Sequence, residues 1–216
     1  MGQATRNIAN SFTTSGVITS SAVNNTTISG ITDINDLGGS LILISEQTAS
    51  ADASVSFTSG IDSTYDEYWF ILNNIHPSGN TGGLGINFST DGGSNWNVTK
   101  TTASFVAMHA ENNAIAQIIY ENGYDLAQST ADQEICQNIY TGNDESISGI
   151  IKLYNPSSTT YVKHFISNTQ SYFASARSWH HLIAGYCNTT SAINGVIFRF
   201  DTNNMDDGTI QLFGVK

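Results

Sequence analysis

From Leu41 onward the sequence alternates apolar and polar residues with a period of two, and this alternation constrains the fold more than any other feature. LILISEQ, ASVSFTS, EYWFILNNI, GLGINFST, NWNVTK, ASFVAMH, SGIIKLYNP, TYVKHFIS, HLIAGYC, NGVIFRFD and TIQLFGV all read as strands rich in Ile, Val, Phe and Tyr. A period of two gives each strand one face for a core and one face for solvent, the pattern of antiparallel sheets. Turn chemistry lies between them, as DGG at 91 to 93, NPSS at 155 to 158 and DDG at 206 to 208. Short strands and only two prolines predict an all-β antiparallel sandwich of the jelly-roll type over residues 41–216 rather than a small closed barrel. Residues 111–138 depart from the pattern. Their Ala, Gln and Glu content predicts a short helix near Ala110 to Tyr120 and then a long loop, either a binding excursion or an oligomer contact.

Residues 1–40 are of another kind, rich in Ser, Thr, Asn and Gly with thinly spaced apolar side chains. Phe12, Val17, Ile18, Val23, Ile28, Ile31, Ile34 and Leu37 recur every three to six residues, with neither a heptad nor a sustained period of two. Alone, such a segment buries too little to offset its ordering entropy. Three copies wound about an axis bring those side chains together, which predicts an extended stem that trimerises the chain or anchors it to a larger particle; a flexible linker is the alternative.

Charged residues make up only 12% of the chain, and the formal net charge is -11. That balance disfavours nucleic acid and anionic lipid as partners. Arg6, Arg177 and Arg199 are scattered, and neither a run of about 20 apolar residues nor a hydrophobic leader is present. Cys136 and Cys187 lack metal spacing and read as two buried thiols, with a single disulfide as the alternative. The N-x-S/T triplets at Asn25, Asn97 and Asn188 are expected by chance in a chain this rich in Asn and Thr.

Few constellations carry chemistry. Ser89 to Trp96, STDGGSNW, resembles the Asp box of sialidases, with Asn95 where Thr is usual. In that family the box stabilises a hairpin away from the active site and is repeated in each blade, whereas this chain has one copy. A sialidase also needs an arginine triad, which would consume every arginine here. The reading that follows is a turn capped by Asp91 with Trp96 packed on it. Asp62, Asp66 and Glu67, and Asp201, Asp206 and Asp207, are the candidate carboxylate pairs for glycoside hydrolysis. All lie in or beside predicted turns, and solvated turn acids explain them; weak calcium binding by the 201–207 group is the alternative. His180 and His181 are adjacent on a strand and point to opposite faces, so one metal cannot take both, although a threefold axis can gather three copies of either. His76, His109 and His164 read as ordinary hydrogen-bonded histidines. Neither a catalytic residue nor a cofactor or metal site is predicted.

Aromatic residues are in excess of what alternation buries. Tyr65, Trp69, Tyr120, Tyr124, Tyr172 and Trp179, with Tyr68 and Tyr140, lie near Asn and Asp, and rings beside amides are how proteins hold sugars without charge. Filling of the sandwich or of subunit contacts is the competing reading.

The stretches FTSGIDSTYDEYWFILNNIHPS, NFSTDGGSNWNVTKT, GIIKLYNPSSTTYVKHF, AGYCNTTSAINGVIFRF and DDGTIQLFGV resemble small virion proteins of marine tailed bacteriophages, and GVITSSAVNNTTISGIT is similar to phage fibre stems. The likeness spans nearly the whole chain. It implies a homotrimeric appendage on the outer surface of the virion, anchored to other virion proteins by its N-terminal stem, with a β-sandwich head that meets the host surface or its glycans. A capsid or tail decoration protein that touches only other virion subunits is the alternative, and a carbohydrate-active enzyme a more distant one. No catalytic residues come with the resemblance.

Overall fold

The computed structural model describes residues 40–80, 83–173 and 176–215. The predicted stem contacts Phe12, Val17, Ile18, Val23, Ile28, Ile31 and Ile34 lie outside the described residues. The remainder is all β: β1 Leu41–Thr48, β2 Val55–Phe57, β3 Glu67–Pro77, β4 Gly83–Ser89, β5 Lys100–Ala110, β6 Ala116–Tyr120, β7 Gln133–Gln137, β8 Ile147–Tyr154, β9 Lys163–Phe173, β10 Arg177–Cys187, β11 Gly195–Phe200 and β12 Met205–Val215. An eight-stranded sheet runs β1-β12-β3-β8-β9-β10-β5-β6, and a four-stranded sheet runs β2-β11-β4-β7. Antiparallel pairing throughout makes the fold the β-sandwich that the alternation predicts.

The inward positions are the apolar ones. Tyr68, Phe70, Leu72 and Ile75 of β3 join Ile151, Phe165, Ile183 and Leu212 from the large sheet and Phe57, Ile86, Phe88 and Phe198 from the small one. Phe88 meets Phe165 at 5.0 Å between centroids, and Phe70 meets Phe57 at 5.4 Å and Phe198 at 5.5 Å, so aromatic rings join the two sheets. Each such side chain contributes roughly 1.5–3 kcal/mol of burial, aliphatic and aromatic alike, and the rings add edge-to-face and tilted contacts between the sheets. A separate cluster of Val106, Met108 and Trp179, with Ile115, Ile119 and Phe173 against it, occupies the β10-β5-β6 end of the large sheet.

Three local expectations are corrected. No helix forms at Ala110 to Tyr120: Asn113 takes a positive φ of 59°, Ala110 N–H donates to the Ile115 carbonyl at 2.9 Å, and residues 116–120 return as β6 beside β5. Here the Asn pair at 112 and 113 supplies turn chemistry that outweighs helix propensity. NWNVTK is not a strand until Lys100, because residues 95–99 carry the chain out of the turn after β4. Asp206-Asp207-Gly208 is not a turn; it lies in β12, where the register to β3 shifts twice and Gly208 takes a φ of 112°. A bulge uses the same residue types as a turn, and sequence alone does not separate them.

The Asp-box turn forms as a capped turn. Asp91 Oδ1 accepts the Ser89 hydroxyl at 2.7 Å and the Asn95 N–H at 2.9 Å, and Oδ2 accepts the Asn95 side-chain amide at 2.7 Å. Gly93 has a φ of 88°, and a Cβ there would stand 3.0 Å from the Trp96 ring, so the indole lies over a position that only glycine fits comfortably. Cys136 and Cys187 are buried free thiols, as read from their spacing.

Candidate contact face on the large sheet

The outward face of the large sheet carries apolar side chains in adjacent rows. The register places Tyr120, Phe105, Leu182, Asn168, Ile150 and Ile71 in one row across six strands. A second row holds Ala103, Ala184, Ile166, Lys152, Trp69 and Phe213. Ile118 is 76% exposed, and Leu43, Tyr120, Phe105, Ile166 and Leu182 are exposed as well. In β8, β9, β10, β5 and β6 none of the outward side chains is a carboxylate. With eighteen acidic residues in the chain, such depletion makes this face the candidate contact surface.

Polar groups on this face include amides, imidazoles and hydroxyls, with the Lys152 amine and the Glu67 carboxylate towards β3. His180 Nε2 is hydrogen-bonded to Asn168 Oδ1 at 2.6 Å, and the Tyr120 hydroxyl donates to Asp125 at 2.6 Å while its ring meets Phe105 edge-on at 5.2 Å. Towards β3, the Trp69 indole N–H donates to Glu67, and the Lys152 amine stands 3.8 Å from the Trp69 ring centroid.

Of the aromatics singled out for recognition, the large sheet's outer side carries Trp69, Tyr120 and Tyr172. Tyr65 packs edge-on against Tyr68 at 5.8 Å and covers Gly214, so it closes the core instead. Trp179 is 8% exposed and stacks on Phe173 at 4.4 Å, which removes it from any recognition surface. Tyr124 is half-buried in the loop before β7, where burial first and then Glu134 raise its hydroxyl pKa. Phe105, Ile118, Leu182 and Ile166 were not singled out from sequence. Their signal is the pair of adjacent apolar residues, one in each register, within ASFVAMH, AQIIY, KHFIS and HLIAGYC.

The carboxylates are engaged locally. Asp62 accepts the Thr64 N–H at 2.8 Å and the Tyr68 hydroxyl, and hydrogen bonds from Thr64 hold its pKa low. Asp206 meets His76 Nδ1 at 2.8 Å, and Asp207 accepts the Gly208 N–H at 2.7 Å. Asp201 accepts the Thr202 N–H at 2.8 Å. A polar cleft beside β12 is lined by Asn74, His76, Asp144, Glu145, Asp206 and Asp207. Among the described residues no group of three or more His, Cys, Asp and Glu side chains is arranged to hold a metal ion. His180 faces outward and His181 is buried, the opposite facing expected of neighbours on a strand.

No family model matches the chain, and no curated protein matches it. A crystallised protein of unknown function from Bacteroides ovatus shares 9% identity over 47% of this chain and 45% of its own, with a TM-score of 0.27. The chain thus spans less than half of that protein, and the likeness carries no argument about fold or function.

Proposed function

We propose that this chain is a non-enzymatic virion structural protein of a tailed bacteriophage: a homotrimeric fibre, held to other virion proteins by residues 1–40, whose sandwich head contacts the host surface through a glycan. The resemblance of its phrases to marine phage virion proteins supplies the setting. The observation that carries the reading is the outer face of β8, β9, β10, β5 and β6, strands that contain no carboxylate, where Phe105 and Tyr120 stand exposed near Asn168, Gln170 and His180. Flat rings offer the apolar faces of sugars a stacking surface, and neighbouring amides both donate and accept hydrogen bonds to hydroxyls. No charge is needed for either contact. The test is binding of the labelled full chain to an array of bacterial surface polysaccharides, with Phe105→Ser and Tyr120→Ser alongside. Binding by the parent chain that both variants lose supports the reading; a silent array counts against a glycan.

A second reading, the decoration protein, has its own observation. Leu182, Ile166, Ile118 and Leu43 are aliphatic and exposed on the same side, and aliphatic area suits burial against protein rather than against sugar. Light scattering weighs the two. A mass near three times 23.2 kDa for the full chain in solution fits a fibre that assembles by itself, and a monomer fits a subunit covered only on the particle.

A further inference from the structure

Lys100 opens β5 and is 0% exposed; Asn87, in β4 of the other sheet, is 1% exposed. The Lys100 amine donates to Asn87 Oδ1 at 2.7 Å and to the Val98 carbonyl at 2.8 Å. The same Oδ1 accepts the Phe88 N–H at 2.9 Å. On the other edge of the amide, Nδ2 donates to Asp132 Oδ1 at 2.8 Å and to the Thr130 carbonyl at 3.1 Å. Both partners of the oxygen are donors and both partners of the nitrogen are acceptors, so the amide has one orientation, with its oxygen toward the lysine. Asp132 is gripped in turn by Arg199, Nε to Oδ2 at 2.6 Å and Nη2 to Oδ1 at 2.9 Å. Burial raises the Asp132 pKa, but the hydrogen bonds from Arg199 and Asn87 outweigh it and keep the group a carboxylate.

A lysine amine held on a side-chain amide in a buried site, with a carboxylate on the departing nitrogen, is an acyl-transfer arrangement. The geometry points to an intramolecular isopeptide bond between Nζ of Lys100 and Cγ of Asn87, formed by the folded chain without any other reagent. The neutral amine adds its lone pair to Cγ, and the carbonyl electrons move onto Oδ1, where the Phe88 N–H already donates to the developing oxyanion. The carbonyl re-forms as the Cγ–Nδ2 bond breaks. In the tetrahedral adduct Nζ gives up one proton and Nδ2, already oriented by Asp132, gains it, so that ammonia leaves and a secondary amide remains. Nothing is oxidised or reduced. Burial pulls the Lys100 amine down to about 8, so roughly a tenth is neutral near pH 7. Fixed proximity makes up for that fraction, because both reactants are held by the fold.

The bond would tie β5 of the large sheet to β4 of the small one across a short stretch of chain, and so would lock the loop that carries the Asp91 turn. It is independent of the role proposed above, since it rests on the network alone.

The first test is the mass of the intact, purified full chain. It is expected to fall one ammonia, about 17 Da, below the sequence mass, and a digest is expected to contain a branched peptide joining the Asn87 and Lys100 segments. Asn87→Ala and Lys100→Arg are expected to return to their full sequence masses, and Asp132→Asn to reduce the linked fraction at least tenfold. Parent protein that keeps its full mass after prolonged warming, with a folded circular dichroism spectrum, overturns the bond and leaves a hydrogen-bonded network. An ammonia loss that persists in Lys100→Arg, with no branched peptide, also overturns it, because a cyclised asparagine would then account for the mass.

Discussion

Lys152 Nζ stands 3.8 Å from the Trp69 ring centroid and 4.0 Å from Glu67 Oε1, so one ammonium serves both a ring and a carboxylate. Glu67 also accepts the Trp69 indole N–H, which closes a three-residue cluster spanning β3 and β8. Salt screens an exposed ion pair much more than it weakens contact with a ring face. Lys152→Met is therefore expected to cost about 0.5–1 kcal/mol, with most of that loss persisting at high salt in urea denaturation. A loss that vanishes in high salt assigns the stabilisation to Glu67 instead.

The Asp91 turn predicts an acid limb in the stability curve. Hydrogen bonds from the Asn95 side chain, then from Ser89 and the Asn95 backbone, bring the Asp91 carboxyl down to about 2. A carboxyl depressed on folding stabilises the fold above its unfolded pKa, near 3.9, and loses that contribution as pH falls through the folded value. Asp91→Ala should melt lower than the parent at neutral pH, and the two melting curves should converge as pH drops toward 2. A constant gap across that range would show that packing, not the charge, holds the turn.

His181 predicts a second limb at higher pH. Its ring is 1% exposed, lies edge-on to Trp179 at 5.5 Å, and has no partner for either nitrogen among the described residues. Burial first and the charge of neighbouring His180 second bring it down to about 4. A histidine depressed on folding stabilises the fold above its unfolded pKa of about 6.5 and loses that contribution as pH falls toward the folded value. His181→Leu is expected to remove this part of the acid sensitivity and to raise stability by about 1–2 kcal/mol, since an apolar group has no polar atoms to strand. Melting the variant and the parent between pH 7 and 4 checks both expectations.

The sandwich was legible because nearly every strand signals itself locally. Val, Ile and Phe at every second position of EYWFILNNI or NGVIFRFD fix which face is buried without knowledge of the neighbours. Residues 110–120 were misread because Ala, Gln and Glu favour helix weakly, whereas a single Asn113 at positive φ and the edge of β5 decide for a hairpin. The Lys100, Asn87, Asp132 and Arg199 network left no trace in the sequence: its members lie on four separate segments, and Asn87, Asp132 and Arg199 meet through the pairing of β4 with β7 and β11 while Lys100 reaches Asn87 from β5 of the other sheet. The contact face was half legible. Tyr120 and Trp69 stand out as aromatics, but the sequence groups Trp179 with them because facing within WHHLIAGYC depends on which neighbour covers each side.

The contact face predicts a separation of stability from binding. Phe105 and Leu182 are outward neighbours across β5 and β10, both more than a third exposed at 44% and 38%. Exposed strand positions away from turns and networks tolerate substitution with small changes in stability, typically within about 0.5 kcal/mol each. The double variant Phe105→Ser with Leu182→Ser should therefore keep a melting temperature close to that of the parent. It should nevertheless lose adsorption to polysaccharide, or incorporation into particles, because the two changes put hydroxyls in the middle of the apolar rows. Adsorption and incorporation are read on the same protein batch as the melt, so a binding loss cannot be confused with unfolding. A double variant that melts as the parent does and still binds and assembles would show that this face is merely tolerated by solvent, and recognition would then have to be sought at the loops before β7 and after β8.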